Sequence, residues 1–66
     1  MRIIMNIKEI RKSKKMSLEM LERKSGVSKS HINEVEKNYK IPSILVAIKI
    51  AKGLNVGLVD LFRLEL

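Results

Sequence analysis

The sequence predicts an all-α fold, a compact bundle of five short helices, and three observations carry that prediction. Apolar residues recur at helical spacing almost throughout, aromatic residues make up only 3% of the chain, and helix-capping residues interrupt the apolar runs at short intervals. With 66 residues the chain is expected to be one domain, 1–66, near the lower end of what folds without staples. It has no cysteine and a single histidine, so disulfides are excluded and a structural zinc site has too few ligands. Stability is then left to an apolar core, aided by dimerisation.

Each helix has its own signals. Asn6 followed by Glu9 resembles a capping box and opens a first helix reaching about Lys14, with Ile7 and Ile10 inward. Ser17 caps a second helix, with Leu18 and Leu21 inward, and Gly26 supplies a left-handed residue at its end. Val27 points back into the core and Ser28 caps a third helix, with Ile32 and Val35 inward. After Asn38 the stretch "NYKIPS" breaks the period, and Ser43 restarts it. Ile44, Ala47, Ile48, Ala51 and Leu54 mark a fourth helix with Asn55 as its C-cap, and Leu58, Leu61 and Phe62 a short fifth. No strand is required, although "RIIM" at the start is compatible with extended chain.

The net charge of +7, with a pI near 10.1, calls for an acidic partner, and nucleic acid is the commonest. The longest mostly apolar stretch, "IPSILVAIKIA", contains Lys49 and is too short to span a bilayer, and "MRIIM" lacks the features of a signal peptide. The expected location is cytoplasmic.

The joint between the second and third helices is the most informative feature. A short turn containing Gly26, then a serine-capped helix with a polar outer face, is the helix-turn-helix pattern, spanning about residues 17–37. In that geometry the second helix of the pair lies in the major groove, where its outward side chains meet base edges. Its N-terminus brings free amides towards phosphates.

"SLEMLERKSGVSKSHINEVEKN", with "IKEIRKSKKM" before it and "IPSILVAIKIAKGLNVGLVDLF" after it, resembles the phage repressor type of helix-turn-helix domain, the Cro/C1 or XRE family. The resemblance runs from about Ile7 to Phe62. It implies a five-helix, lambda-repressor-like fold and sequence-specific binding of double-stranded operator DNA, usually by a two-fold dimer that regulates transcription. It places base reading on Lys29, Ser30, Asn33 and Glu34, where Lys29 suits guanine, Asn33 adenine and Glu34 the amino group of cytosine. Phosphate contacts fall on Ser17, Leu18 through its amide, Ser28, Lys37, Asn38, Tyr39 and Lys40. Arg11 and Glu36 correspond to a structural ion pair between the first and third helices. Ser28 also reads as a plain helix cap, Glu34 as a partner of Lys37 or Asn38, and "RKSKK" as a solvated face.

Two positions depart from the family pattern. Leu18 stands where many members carry glutamine, and Glu22 where alanine is preferred, so the Glu22 carboxylate needs a partner, either Lys29 or His31, or must tilt outward. Leu45, Val46 and Val59 are apolar where the family is usually polar. With Val56, Leu64 and Leu66 they form a candidate interface patch, covered either by a second copy or by Ile3 and Ile4. The resemblance implies a homodimer meeting around the fifth helix, through Val56, Leu58, Val59, Arg63, Leu64 and Leu66.

The reading is therefore a DNA-binding transcriptional regulator, a repressor, with no cofactor, no metal, no small-molecule ligand and no membrane partner. The alternative is a protein–protein interaction module of the same fold that works through the apolar patch and binds DNA weakly. An enzyme is a poor reading, since the chain lacks cysteine, a phosphate-binding glycine loop, or a carboxylate pair with reason for a perturbed pKa. A membrane-surface peptide is excluded because the lysines are spread over several short helices.

Overall fold

The computed structural model describes residues 1–66. Four α-helices form the body: α1 (Ile7–Ser13), α2 (Leu18–Ser25), α3 (Lys29–Glu36) and α4 (Ile44–Leu54). A single 3₁₀ turn follows at Leu58–Leu61, and two short strands, β1 (Arg2–Met5) and β2 (Phe62–Glu65), pair antiparallel with Arg2 opposite Glu65 and Met5 opposite Phe62. No helix is long and apolar enough to cross a membrane.

Two expectations are corrected here. The fold is not wholly helical, and the fifth helix is one 3₁₀ turn that ends at Phe62, whose backbone is extended (φ −142°, ψ 161°). Gly57, which opens the segment, has no side chain with which to cap an α-helix. The alternative satisfies more backbone groups: the Asn6 amide donates to the Leu61 carbonyl at 2.6 Å, and "FRLE" takes up the ladder offered by the β-branched "RIIM". The Asn6 side chain caps no helix. Its Oδ1 accepts instead from Arg63 Nη1 at 3.0 Å.

Serine defines three of the helix starts. The hydroxyls of Ser17, Ser28 and Ser43 accept from the amides of Met20, His31 and Val46, each three residues on, with extended backbone at the cap. Helix α2 ends on Gly26 at φ 76°, and α4 on Asn55 at φ 59°. Every element contributes to the core except β2: Met5 from β1, Ile7 from α1, Leu21 from α2, Ile32 and Val35 from α3, Ile50 and Leu54 from α4, and Leu61 from the 3₁₀ turn.

Helix α4 buries Ala47, Ile50, Ala51, Gly53 and Leu54. Ile44 and Ile48, two of the residues whose spacing marks this helix, are 68% and 41% exposed. This helix is apolar on more than one side, so periodicity alone leaves its rotation open. Gly53 fixes it, because a Cβ there would lie 2.9 Å from Ser25 Cβ and 3.1 Å from the Leu21 side chain. Only a residue without a side chain lets α4 approach α2 that closely.

Candidate nucleic-acid interface

Helices α2 and α3 and the three residues between them build the site. The amide of Gly26 donates to the Glu22 carbonyl at 2.9 Å, Ser25 Oγ accepts from the Val27 amide at 3.1 Å, and Val27 is buried. The joint is thereby fixed from both sides. Helix α3 then buries Ile32, Val35 and Glu36 and turns Lys29 and Ser30 to solvent, with His31, Asn33 and Glu34 half-buried on its flanks. At about 100° per residue, Lys29, Asn33, Lys37 and Ser30 share one outward face.

A buried ion pair anchors this helix to α1. Arg11 Nε and Nη2 meet Glu36 Oε2 and Oε1 at 2.7 and 3.1 Å, and Arg11 Nη1 donates to the Met16 carbonyl at 2.9 Å. Both residues are only 9% exposed, and no buried side-chain polar atom lacks a partner. The bond to Glu36 raises the Arg11 pKa above its ordinary value, so the guanidinium stays charged.

Several candidate DNA contacts have partners within the chain. Lys29 Nζ lies 3.0 Å from Glu19 Oε2, and its backbone amide donates to Glu22 Oε2 at 2.9 Å. Glu22 thus finds Lys29, but through the main chain. The hydrogen bond from Lys29 holds the Glu19 carboxyl below its ordinary pKa, and the same bond raises that of Lys29. Glu34 Oε2 faces Lys40 Nζ at 3.5 Å rather than Lys37 or Asn38. Lys37 Nζ sits 5.9 Å from the centre of the Tyr39 ring, which is 74% exposed. Asn38, in a left-handed conformation (φ 61°), accepts from the Met5 amide through Oδ1 at 3.2 Å and so ties β1 to the loop after α3. Leu18 is half-buried and packs on the core.

The sequence reading missed Glu19. Its only signal is that it and Glu22 are acidic residues one turn apart on α2, ahead of a lysine at the start of α3. Their convergence on Lys29 depends on the angle of the joint.

The residues expected at a dimer interface do not share one environment. Val56 and Leu58 are half-buried against the core, Arg63 is held by Asn6, and Val59, Leu64 and Leu66 are exposed. Alternation along the paired strands puts Ile3, Met5, Phe62 and Leu64 on one face. Beside it runs an apolar groove of about 280 Å³ lined by Ile3, Met5, Ile41, Pro42, Ile44, Ala47, Leu58 and Phe62. Ile3 therefore lies next to Leu64 within the chain, while Val59 stays uncovered. Leu45 is exposed, and Val46 is half-buried against the core.

A glycine-jointed helix pair with a capped, outward polar second helix defines a helix-turn-helix protein. The chain belongs to that family: the helix-turn-helix model HTH_3 matches residues 7–61. It is 36% identical over 59 residues to YgzD of Bacillus subtilis, an uncharacterized HTH-type transcriptional regulator, covering 89% of each chain. It is 38% identical over 50 residues to the HTH-type transcriptional regulator SutR of Escherichia coli, covering 76% of this chain but only 28% of SutR. Among solved structures it is similar to the restriction-modification controller protein C.AhdI of Aeromonas hydrophila (TM-score 0.79, 27% identity, 83% of each chain). It is also similar to the controller protein C.Esp1396I (TM-score 0.73, 37% identity, 82% of this chain and 70% of that one).

Proposed function

We propose that this chain is a cytoplasmic transcriptional regulator that binds double-stranded DNA as a two-fold dimer, reads the major groove with α3, and acts as a repressor. The observation that carries the reading is α3 itself. It is locked to the core by Ile32, Val35 and the Arg11–Glu36 pair, yet presents Lys29, Ser30 and Asn33 outward on a chain of net charge +7. The regulators and controllers to which the chain is similar support it.

In this reading Lys29, Ser30, Asn33 and Glu34 meet base edges, while Ser17, the Leu18 amide, Ser28, Lys37, Tyr39 and Lys40 meet phosphates. Asn38 contributes by holding the loop. The second copy docks on the apolar side lined by Ile3, Ile44, Leu58 and Phe62, and reading two half-sites one duplex turn apart then requires the two α3 helices to stand about 34 Å apart.

Selection of bound duplexes from a random pool at fixed, near-physiological salt tests the proposal. Enrichment of a two-fold symmetric site with half-sites about one turn apart is the expected result. Salt-sensitive binding with no enriched sequence would instead favour an interaction module, the reading to which the apolar groove lends support.

A further inference from the structure

We infer that Glu19, assisted by Glu22, stands in for a DNA phosphate at the start of α3 and so lowers the affinity of the chain for DNA of any sequence. The inference rests on α3 being the DNA-facing helix. The first turn of a helix offers unpaired amides and the positive end of its dipole, and a lysine beside it adds a full charge. Such a corner would normally be an anion site. Here α2 supplies the anions. Glu22 Oε2 takes the Lys29 amide at 2.9 Å, Glu19 Oε2 takes Lys29 Nζ at 3.0 Å, and Ser28 Oγ takes the His31 amide at 3.2 Å.

A phosphate arriving at this corner must therefore displace a carboxylate from the lysine, and it meets two like charges as it does so. Glu19 also sits in the first turn of α2, where a carboxylate is favoured, and both members of its pair are about half exposed, so the pair opens at small cost. The chain carries Lys29 to the groove with its charge already balanced. On a duplex of random sequence, where Lys29 has no matched base to read, its free charge would go to a phosphate, and the pair with Glu19 leaves one fewer phosphate neutralised.

The experiment is a salt titration of binding to a random-sequence duplex for the native chain, Glu19→Gln, Lys29→Met and the double variant. Glu19→Gln is expected to bind about two- to fivefold tighter at low salt. Its slope of log affinity against log salt should be steeper by about one, the signature of one additional phosphate contact. Placed on Lys29→Met, the same substitution should change little. An unchanged slope overturns the inference, and so does an equal gain with and without Lys29, which would mean only that a negative charge near DNA had been removed. If the native chain binds no duplex at all, both this inference and the DNA-binding proposal fall; if it binds but does not respond to Glu19→Gln, only this one does. Glu19 is exposed, so an unchanged thermal melt should confirm that the variant is folded.

Discussion

At the scale of the residue, charge pairs divide into those that hold the fold and those that face solvent. Arg11–Glu36 is of the first kind: it is bidentate, nearly sealed from water and completed by the Met16 carbonyl. Arg11→Met leaves a buried carboxylate alone and should cost about 3–5 kcal/mol in a denaturant titration, much of it recovered by adding Glu36→Leu. Glu19–Lys29 is of the second kind, and its effect should appear in titration. Because the Glu19 pKa is lowered, the pair's contribution is present above the ordinary carboxylate range and lost as pH falls through the lowered value. Lys29→Met should move the Glu19 carboxyl midpoint, followed by NMR, back up towards that of a free glutamate. For the proposed reading face, Asn33→Ala should relax discrimination at one base pair per half-site. Lys40→Ala should weaken all sequences about equally and lower the salt slope by about one. Arg11 and Glu36 were legible because an arginine and a glutamate stand at matching places in a family pattern. Glu19 and Lys29 were not, since they sit on different helices at a spacing no single helix would pair, and only the angle at Gly26 brings them together.

The elements were legible to the extent that their signals are local. Ser17, Ser28 and Ser43 mark three helix starts because a cap needs only its own hydroxyl and an amide three residues on. Gly26 marks the joint because a left-handed residue favours glycine, and Gly26→Ala should cost about 1 kcal/mol through backbone strain alone, there being open space around it. What depends on a distant partner was not legible. The rotation of α4 is set by Gly53 against Ser25, a contact between two helices, and a broad apolar helix gives periodicity no reason to prefer Ile50 over Ile48. Gly53→Ala would press a methyl group into the Ser25 and Leu21 side chains, with little slack in the Ser25 backbone. It should lower stability by about 1–3 kcal/mol despite the better helix propensity of alanine. The last segment fails as a helix for a similar reason: β2 exists only because β1, at the other end of the sequence, is there to meet it.

Across the whole molecule, the polar outward face of α3 and the apolar groove lined by Ile3, Ile44 and Phe62 belong to a small body with a radius of gyration of 10.7 Å. A stable pair of subunits needs about 800 Å² from each, out of the 4466 Å² that this chain exposes, and in the proposed dimer the apolar groove lies at the centre of that area. Ile44→Asp, at a site 68% exposed, should leave the fold intact and shift sedimentation towards the monomer. The same change should weaken operator binding far more than binding to a single half-site. The strand pair carries a different consequence, one of timing. Helices α2 and α3 adjoin in sequence and can pair early, and α4 must come back past α3 to reach α2, whereas Arg2 meets Glu65 only after nearly the whole chain has been brought round. The ladder is therefore the last structure to close and the first to open, a slow seam on an otherwise fast-folding body. Amides of β1 and β2 should accordingly exchange with solvent through brief local openings while those of α2 and α4 wait for global unfolding.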